Sequence, residues 1–225
     1  MTASRLDPLP PEHTPELKPL FDSFRRTLGF VPNSALTMQR KPKLLQAFVA
    51  LQAALWEPDS KVDRGLKRLI AHVAARVAGC RYCQAHTASG ALHFGVDDAK
   101  LAAIGNFRTS PLFTPAERAA LELAFAASAI PNGATDTMFA ELRKYWDEEQ
   151  ITEIMGVIAA MGFVTRWNDS LATPIEEEAL MVGETHLAAA GWQAGKHLRL
   201  RGLVRSARLS GTPARIGCRR RSTAR

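Results

Sequence analysis

Apolar residues recur along this chain at the three- and four-residue spacing of a helix, and no stretch sustains the alternation of a strand. In "PKLLQAFVALQAALW" (42–56) the stripe is Leu44, Leu45, Phe48, Leu51 and Leu55, the i, i+3/i+4, i+7 pattern of an amphipathic helix. "VDRGLKRLIAHVAARVAG" (62–79) is read the same way, buried along Leu66, Leu69, Ile70, Val73 and Val77 and stopped at Gly79. Residues 81 to 94 form the next helix, closed by Gly95, and "DDAKLAAIG" (97–105) a short one entered through an acidic first turn.

Polar punctuation supplies the remaining boundaries. Proline is tolerated in a first helical turn, so a helix runs from about Pro19 to Leu28 and ends at Gly29. "FVPNS" (30–34) is then a turn that leaves Ser34 available as an N-cap. Thr114, Pro115 and Glu117 make a capping box that opens a helix through about Ala129. After the loop "IPNGATD" (130–136) a helix runs to about Trp146. Asp147, Glu148 and Glu149 favour a further start, extending to about Trp167. Thr173, Pro174 and Glu176 open a last helix. The fold class expected is all-α.

Charge changes this picture only at one end. The 225 residues carry a net charge of +7. Ten of the 29 Lys and Arg lie from Lys196 onward, where there is no acid, so the remaining 19 face 22 acidic residues. The excess belongs to a tail rather than to a folded face, which argues against nucleic acid as a partner. The expected organisation is one helical domain over 1–195 and a basic, Arg-rich, disordered tail over 196–225. A reading frame that departs from its ancestral end near residue 197 is the alternative. The strongest apolar run, "IMGVIAAMGFV" (154–164), has 11 residues, against the ~20 that span a bilayer. The first twenty residues, with five prolines and mixed charges, lack the form of a secretory signal. A cytoplasmic protein without a membrane partner is expected.

The chemistry concentrates in "GCRYCQAHTASG" (79–90), where Cys80 and Cys83 stand at the start of a helix. The unpaired N–H groups and dipole of a first helical turn stabilise a thiolate, and three-residue spacing lets two sulfurs close a disulfide. His86, at i+3 from Cys83, lies on the same helical side, within proton-exchange range. Two other readings stand beside a redox dithiol. The thiols are small buried core residues, or Cys80, Cys83, His86 and His93 bind zinc. A structural zinc site pairs CxxC with a second, separated pair of ligands, and the one remaining cysteine, Cys218, lies in the tail. Arg166, Asn168 and Asp169 cluster near the end of a long helix, in a packing or capping role. Tyr82 reads as pocket wall, and Trp56, Trp146 and Trp192 as structural.

"LKRLIAHVAARVAGCRYCQAHTASGALHFGV" (66–96) resembles the core motif of the carboxymuconolactone decarboxylase and alkylhydroperoxidase D superfamily: a buried helix, CxYC, a histidine, and a second helix ending in glycine. The resemblance extends over about residues 6 to 192, including "LGFVPNS" and "GFVTRWNDSLATP", and looks nearest to the peroxidase-related branch. It implies an all-helical, alkylhydroperoxidase D-like bundle, a homo-oligomer, and a thiol peroxidase without cofactor or metal. Its partners would be a hydroperoxide substrate and a thiol or dithiol reductant. By the resemblance Cys83 is the peroxidatic thiol, Cys80 the resolving one, and His86 part of the proton relay. Two positions depart from the pattern. The family histidine lies four residues after the second cysteine, where this chain has Thr87. The relay glutamate lies twelve before the first, where it has Arg68. Arginine stays protonated and cannot relay a proton, but its charge favours a nearby thiolate, and His72 is a substitute relay group. A non-catalytic redox sensor or interaction protein, and a cofactor-free decarboxylase, are the alternative functions.

Overall fold

A computed structural model describes residues 4–198. Its α-helices are α1 (Lys18–Leu28), α2 (Asn33–Met38), α3 (Pro42–Leu55), α4 (Arg64–Val77), α5 (Arg81–His93), α6 (Asp98–Ala102), α7 (Pro115–Ala127), α8 (Asp136–Leu142), α9 (Glu148–Leu171) and α10 (Glu177–Val182). No strand occurs among the described residues, so the fold is all-α. The expected tail from residue 199 on, with Cys218, lies outside the described residues.

The centre is the α4–α5 hairpin, against which α7 and α9 pack. Leu66, Leu69, Ile70 and Val73, expected on the inner face of α4, are all buried. Asp63 caps α4 by accepting from Leu66 N, and Gly79, at φ +73°, turns the chain into α5 through the left-handed region that glycine favours. The capping box at Thr114 and Glu117 forms as read, with both hydrogen bonds present. A second, smaller cluster of Leu17, Phe21, Ala35, Met38 and Leu45 joins α1, α2 and α3 to the body.

Four details differ from the sequence expectations. Ser34 lies inside α2, whose N-cap is Pro32, so no serine cap forms. The long helix α9 continues one turn beyond Trp167, to Leu171. The start of α10 uses neither Thr173 nor Pro174: Glu176 is its N-cap residue, without a side-chain cap bond. Finally Lys196 and His197, at the junction with the tail, are fastened to the body: Ile175 N donates to His197 O at 2.9 Å, and Lys196 pairs with Asp169 at 2.7 Å.

Candidate active site

Cys80 is the N-cap of α5, and its sulfur accepts the backbone N–H of Cys83 at 3.2 Å. This is the helix-start position that the sequence indicated, but the lowered thiol pKa expected there is not found for Cys83. Both cysteines are free and buried. The Cys83 thiol donates to Val164 O at 3.9 Å and receives the Asn168 side-chain amide at 3.8 Å. Burial pushes the Cys83 pKa well up, and the adjoining Cys80 adds to this, so its resting form is the thiol.

His86 does not stand alone. Its Nε2–H donates to Glu176 Oε2 at 2.6 Å, and its ring lies 4.3 Å from that of Tyr82, centroid to centroid. The Tyr82 hydroxyl donates to Glu176 Oε1 at 3.0 Å, and the Asn33 backbone N–H donates to the same oxygen. Burial by itself raises the Glu176 pKa, but the His86 charge and these donors outweigh it and hold the carboxyl below its ordinary value. Burial and then the Glu176 charge raise the Tyr82 pKa. Three parts of the chain thus meet in one acid–base cluster: the start of α2, the first turns of α5 and the N-cap of α10.

A second group adjoins Cys80. The Cys80 sulfur, an Asp169 carboxylate oxygen and a His197 ring nitrogen all lie within 4.8 Å of one another. His197 is fully buried. Its Nδ1 is 2.7 Å from Thr173 O, and since a carbonyl only accepts, Nδ1 carries the hydrogen. Its Nε2 lies 3.4 Å from Asp169 Oδ1. Burial lowers the His197 pKa against the opposing pull of Thr173 O and Asp169.

The two positions that depart from the family pattern are occupied as follows. Thr87 donates to Cys83 O at 2.7 Å and accepts from His72 Nδ1 at 3.0 Å. Burial lowers the His72 pKa to about 3, so the ring is neutral. Arg68 packs its guanidinium over the Trp56 ring at 3.8 Å and against the Gly90 backbone, contacts that involve neither thiol. Burial, then the Arg64 charge, brings its pKa to about 10, so it keeps its proton at neutral pH.

The dithiol at the start of α5 was legible in the sequence, whereas His86, expected to face Cys83, is turned to Glu176; Asn168 and Asp169 were visible as a cluster though not as neighbours of the thiols. Glu176 and His197 were missed. Glu176 read as a helix-start residue, and His197 sits among the basic residues of the tail, where no local periodicity marks it. A cleft of about 1030 Å³ between α4, α7 and α9 reaches Asp169, and one of about 280 Å³ is lined by His72, Arg76, Arg81 and Trp192.

Comparison with known proteins places this arrangement. The profile of the Carboxymuconolactone decarboxylase family matches residues 42–126, from α3 into α7. The apo structure of the debrominase Bmp8 is 36% identical, with a TM-score of 0.74, over 80% of this chain and 96% of that one. A cysteine-to-alanine variant of Bmp8 in complex with 2,3,4-tribromopyrrole is 34% identical, with a TM-score of 0.75, over 81% and 97%. An uncharacterized peroxidase-related protein from Ralstonia eutropha, with an alkylhydroperoxidase D core, shares the fold at 19% identity and a TM-score of 0.71, over 82% and 100%. The uncharacterized protein YnjA of Escherichia coli is 29% identical over 117 residues, 52% of this chain and 64% of YnjA, so the match spans just under two thirds of that relative. The chain belongs to the carboxymuconolactone decarboxylase and alkylhydroperoxidase D-like superfamily.

Proposed function

We propose that the protein is a dithiol reductase of the alkylhydroperoxidase type, with Cys83 as nucleophile, Cys80 as resolving thiol and His86 as proton donor. The observation that carries this reading is the pair of free cysteines at the start of α5, the Cys80 sulfur accepting the Cys83 backbone N–H, on the helix that also carries Tyr82 and His86 of the Glu176 cluster. The Cys83 thiol gives up its proton to solvent. The Cys83 sulfur attacks the distal oxygen of a hydroperoxide and the O–O bond breaks. The departing alkoxide takes a proton from His86, held in place by Glu176, and a sulfenic acid forms on Cys83. His197, beside Cys80, takes the proton of the Cys80 thiol. The Cys80 thiolate then attacks the Cys83 sulfur, the S–O bond breaks, the departing hydroxide takes that proton back from His197 and leaves as water, and the disulfide closes. An external thiol or dithiol returns two electrons.

A second substrate class is favoured by the 36% identity along nearly the whole of the debrominase Bmp8. The same thiols serve a reductive debromination. The Cys83 sulfur takes bromine from a brominated heteroaromatic ring, and the C–Br electron pair stays on the carbon, which gains a proton. Cys80 then displaces bromide to form the disulfide.

The test is hydroperoxide consumption and, in parallel, bromide release from a brominated pyrrole, with a dithiol reductant supplied. The substrate consumed identifies the class. Turnover is expected to vanish in Cys83→Ser and in Cys80→Ser. Full turnover in Cys83→Ser would sink the dithiol mechanism, and a cofactor-free decarboxylase would be indifferent to both substitutions.

A further inference from the structure

We propose that Cys80, Asp169 and His197 form a binding site for a thiophilic divalent cation of the zinc class, and that its occupation ties up the resolving thiol and so holds the dithiol in a closed, inactive form. The proposal does not depend on which electrophile the dithiol reduces.

A CxxC pair on its own lacks the second, separated ligand pair that completes a tetrahedral zinc site. Sequence spacing pointed to His86 and His93 for that role, but His86 is turned to Glu176. The fold supplies a different pair. Asp169 comes from the last turn of α9 and His197 from the segment after α10, and both reach the Cys80 sulfur, with the three ligand atoms within 4.8 Å of one another. Zinc bonds are about 2.3 Å to sulfur and about 2.0 Å to nitrogen, so the ligands draw in by roughly 1 Å from that outer limit.

The surroundings of His197 match those of a ligand histidine. Metal-bound imidazoles commonly donate their other ring N–H to a backbone carbonyl or carboxylate, which sets tautomer and orientation. Here Nδ1–H donates to Thr173 O at 2.7 Å. Its Nε2 lies 3.4 Å from an Asp169 oxygen, so the two ligand atoms converge beside the Cys80 sulfur. The other Asp169 oxygen is held by Lys196 at 2.7 Å. The Cys80 thiolate and the Asp169 carboxylate balance the charge of a divalent ion. A soft thiolate with one imidazole and one carboxylate selects zinc over magnesium or calcium.

The experiment is titration of the reduced full-length protein with Co²⁺, then with Zn²⁺ against a chromophoric chelator. One equivalent is expected to bind, with thiolate-to-cobalt charge-transfer bands and the visible absorption of tetrahedral cobalt, and Zn²⁺ is expected to displace it. His197→Ala, the near-isosteric Asp169→Asn and Cys80→Ser should each weaken binding at least about tenfold, the loss typical even of outer partners of metal ligands. His86→Ala should bind as the wild type does. Circular dichroism establishes that each variant is folded. Absence of saturable binding by the folded wild type overturns the site. So does undiminished affinity in both His197→Ala and Asp169→Asn, or loss of binding in His86→Ala. None of these results bears on turnover, which the cysteine variants measure separately.

Discussion

Glu176 and His72 are buried titratable residues that act on stability in different pH windows. The Glu176 carboxyl is held below its ordinary value of 4.5 by His86 and its hydrogen-bond donors, which prevail over burial. A depressed carboxylate contributes stability that is present above its unfolded pKa and lost as pH falls through the folded one. His72 is neutral in the fold, with a pKa lowered by burial from 6.5 to about 3. The unfolded chain binds that proton first, so stability declines as pH falls from 6.5 toward 3, by up to about 1.4 kcal/mol per unit. Urea midpoints measured as a function of pH separate the two. His72→Asn should flatten the profile above pH 4.5, and Glu176→Gln should flatten it only below. Profiles parallel to the wild type in both variants would refute these assignments.

At the scale of elements, the segment after α10 holds His197 against the thiols, and Trp192 anchors it. The Trp192 indole N–H donates to Arg81 O in the first turn of α5 at 3.2 Å, and its ring covers Gly183 so closely that an added Cβ would collide with three ring atoms. Gly183→Ala is therefore expected to cost about 1–3 kcal/mol and to lower turnover by displacing His197. A chemical melt followed by tryptophan fluorescence measures the first effect and steady-state kinetics the second. The α7 capping box is a local contrast. Thr114→Ala should cost about 1 kcal/mol with turnover unchanged, because that cap is remote from the cysteines. Local start signals of this kind were readable because cap and partner are three residues apart. The role of Glu176 was hidden because its partners, Asn33, Tyr82 and His86, come from elsewhere in the chain.

Across the whole molecule, one buried ion pair ties the central hairpin to the long helix. Lys67 on α4 is 1% exposed, lies 2.6 Å from Glu153 on α9 and donates to Leu55 O at the end of α3. Removing one partner strands the other charge, so Lys67→Ala should destabilise by about 3–5 kcal/mol, whereas Lys67→Met with Glu153→Leu should be close to neutral. Denaturant melts of the single and double variants decide this. Leu51 and Phe163 are 46% and 40% exposed, and the Phe163 ring is 5.5 Å from that of Phe48, centroid to centroid. An apolar face of this kind fits the homo-oligomer that the family resemblance implies. Light scattering is expected to give a multiple of 24.6 kDa, reduced in Leu51→Lys. A monomeric wild type would refute the expectation.

The sequence by itself determined the helices of the body, the caps at Thr114 and Asp147 and the position of the dithiol, because helical periodicity and capping act within a turn or two of chain. Only the tertiary structure decided what surrounds the thiols. Asp169 and His197 are brought to Cys80, and Glu176 to His86 and Tyr82, from the end of α9 and the chain around α10 by packing between distant segments that no local pattern records. Tertiary packing likewise decided that Arg68 stacks on Trp56 and that Thr87 binds His72, since burial and neighbouring surfaces set a side chain's direction beyond what its place in a motif specifies.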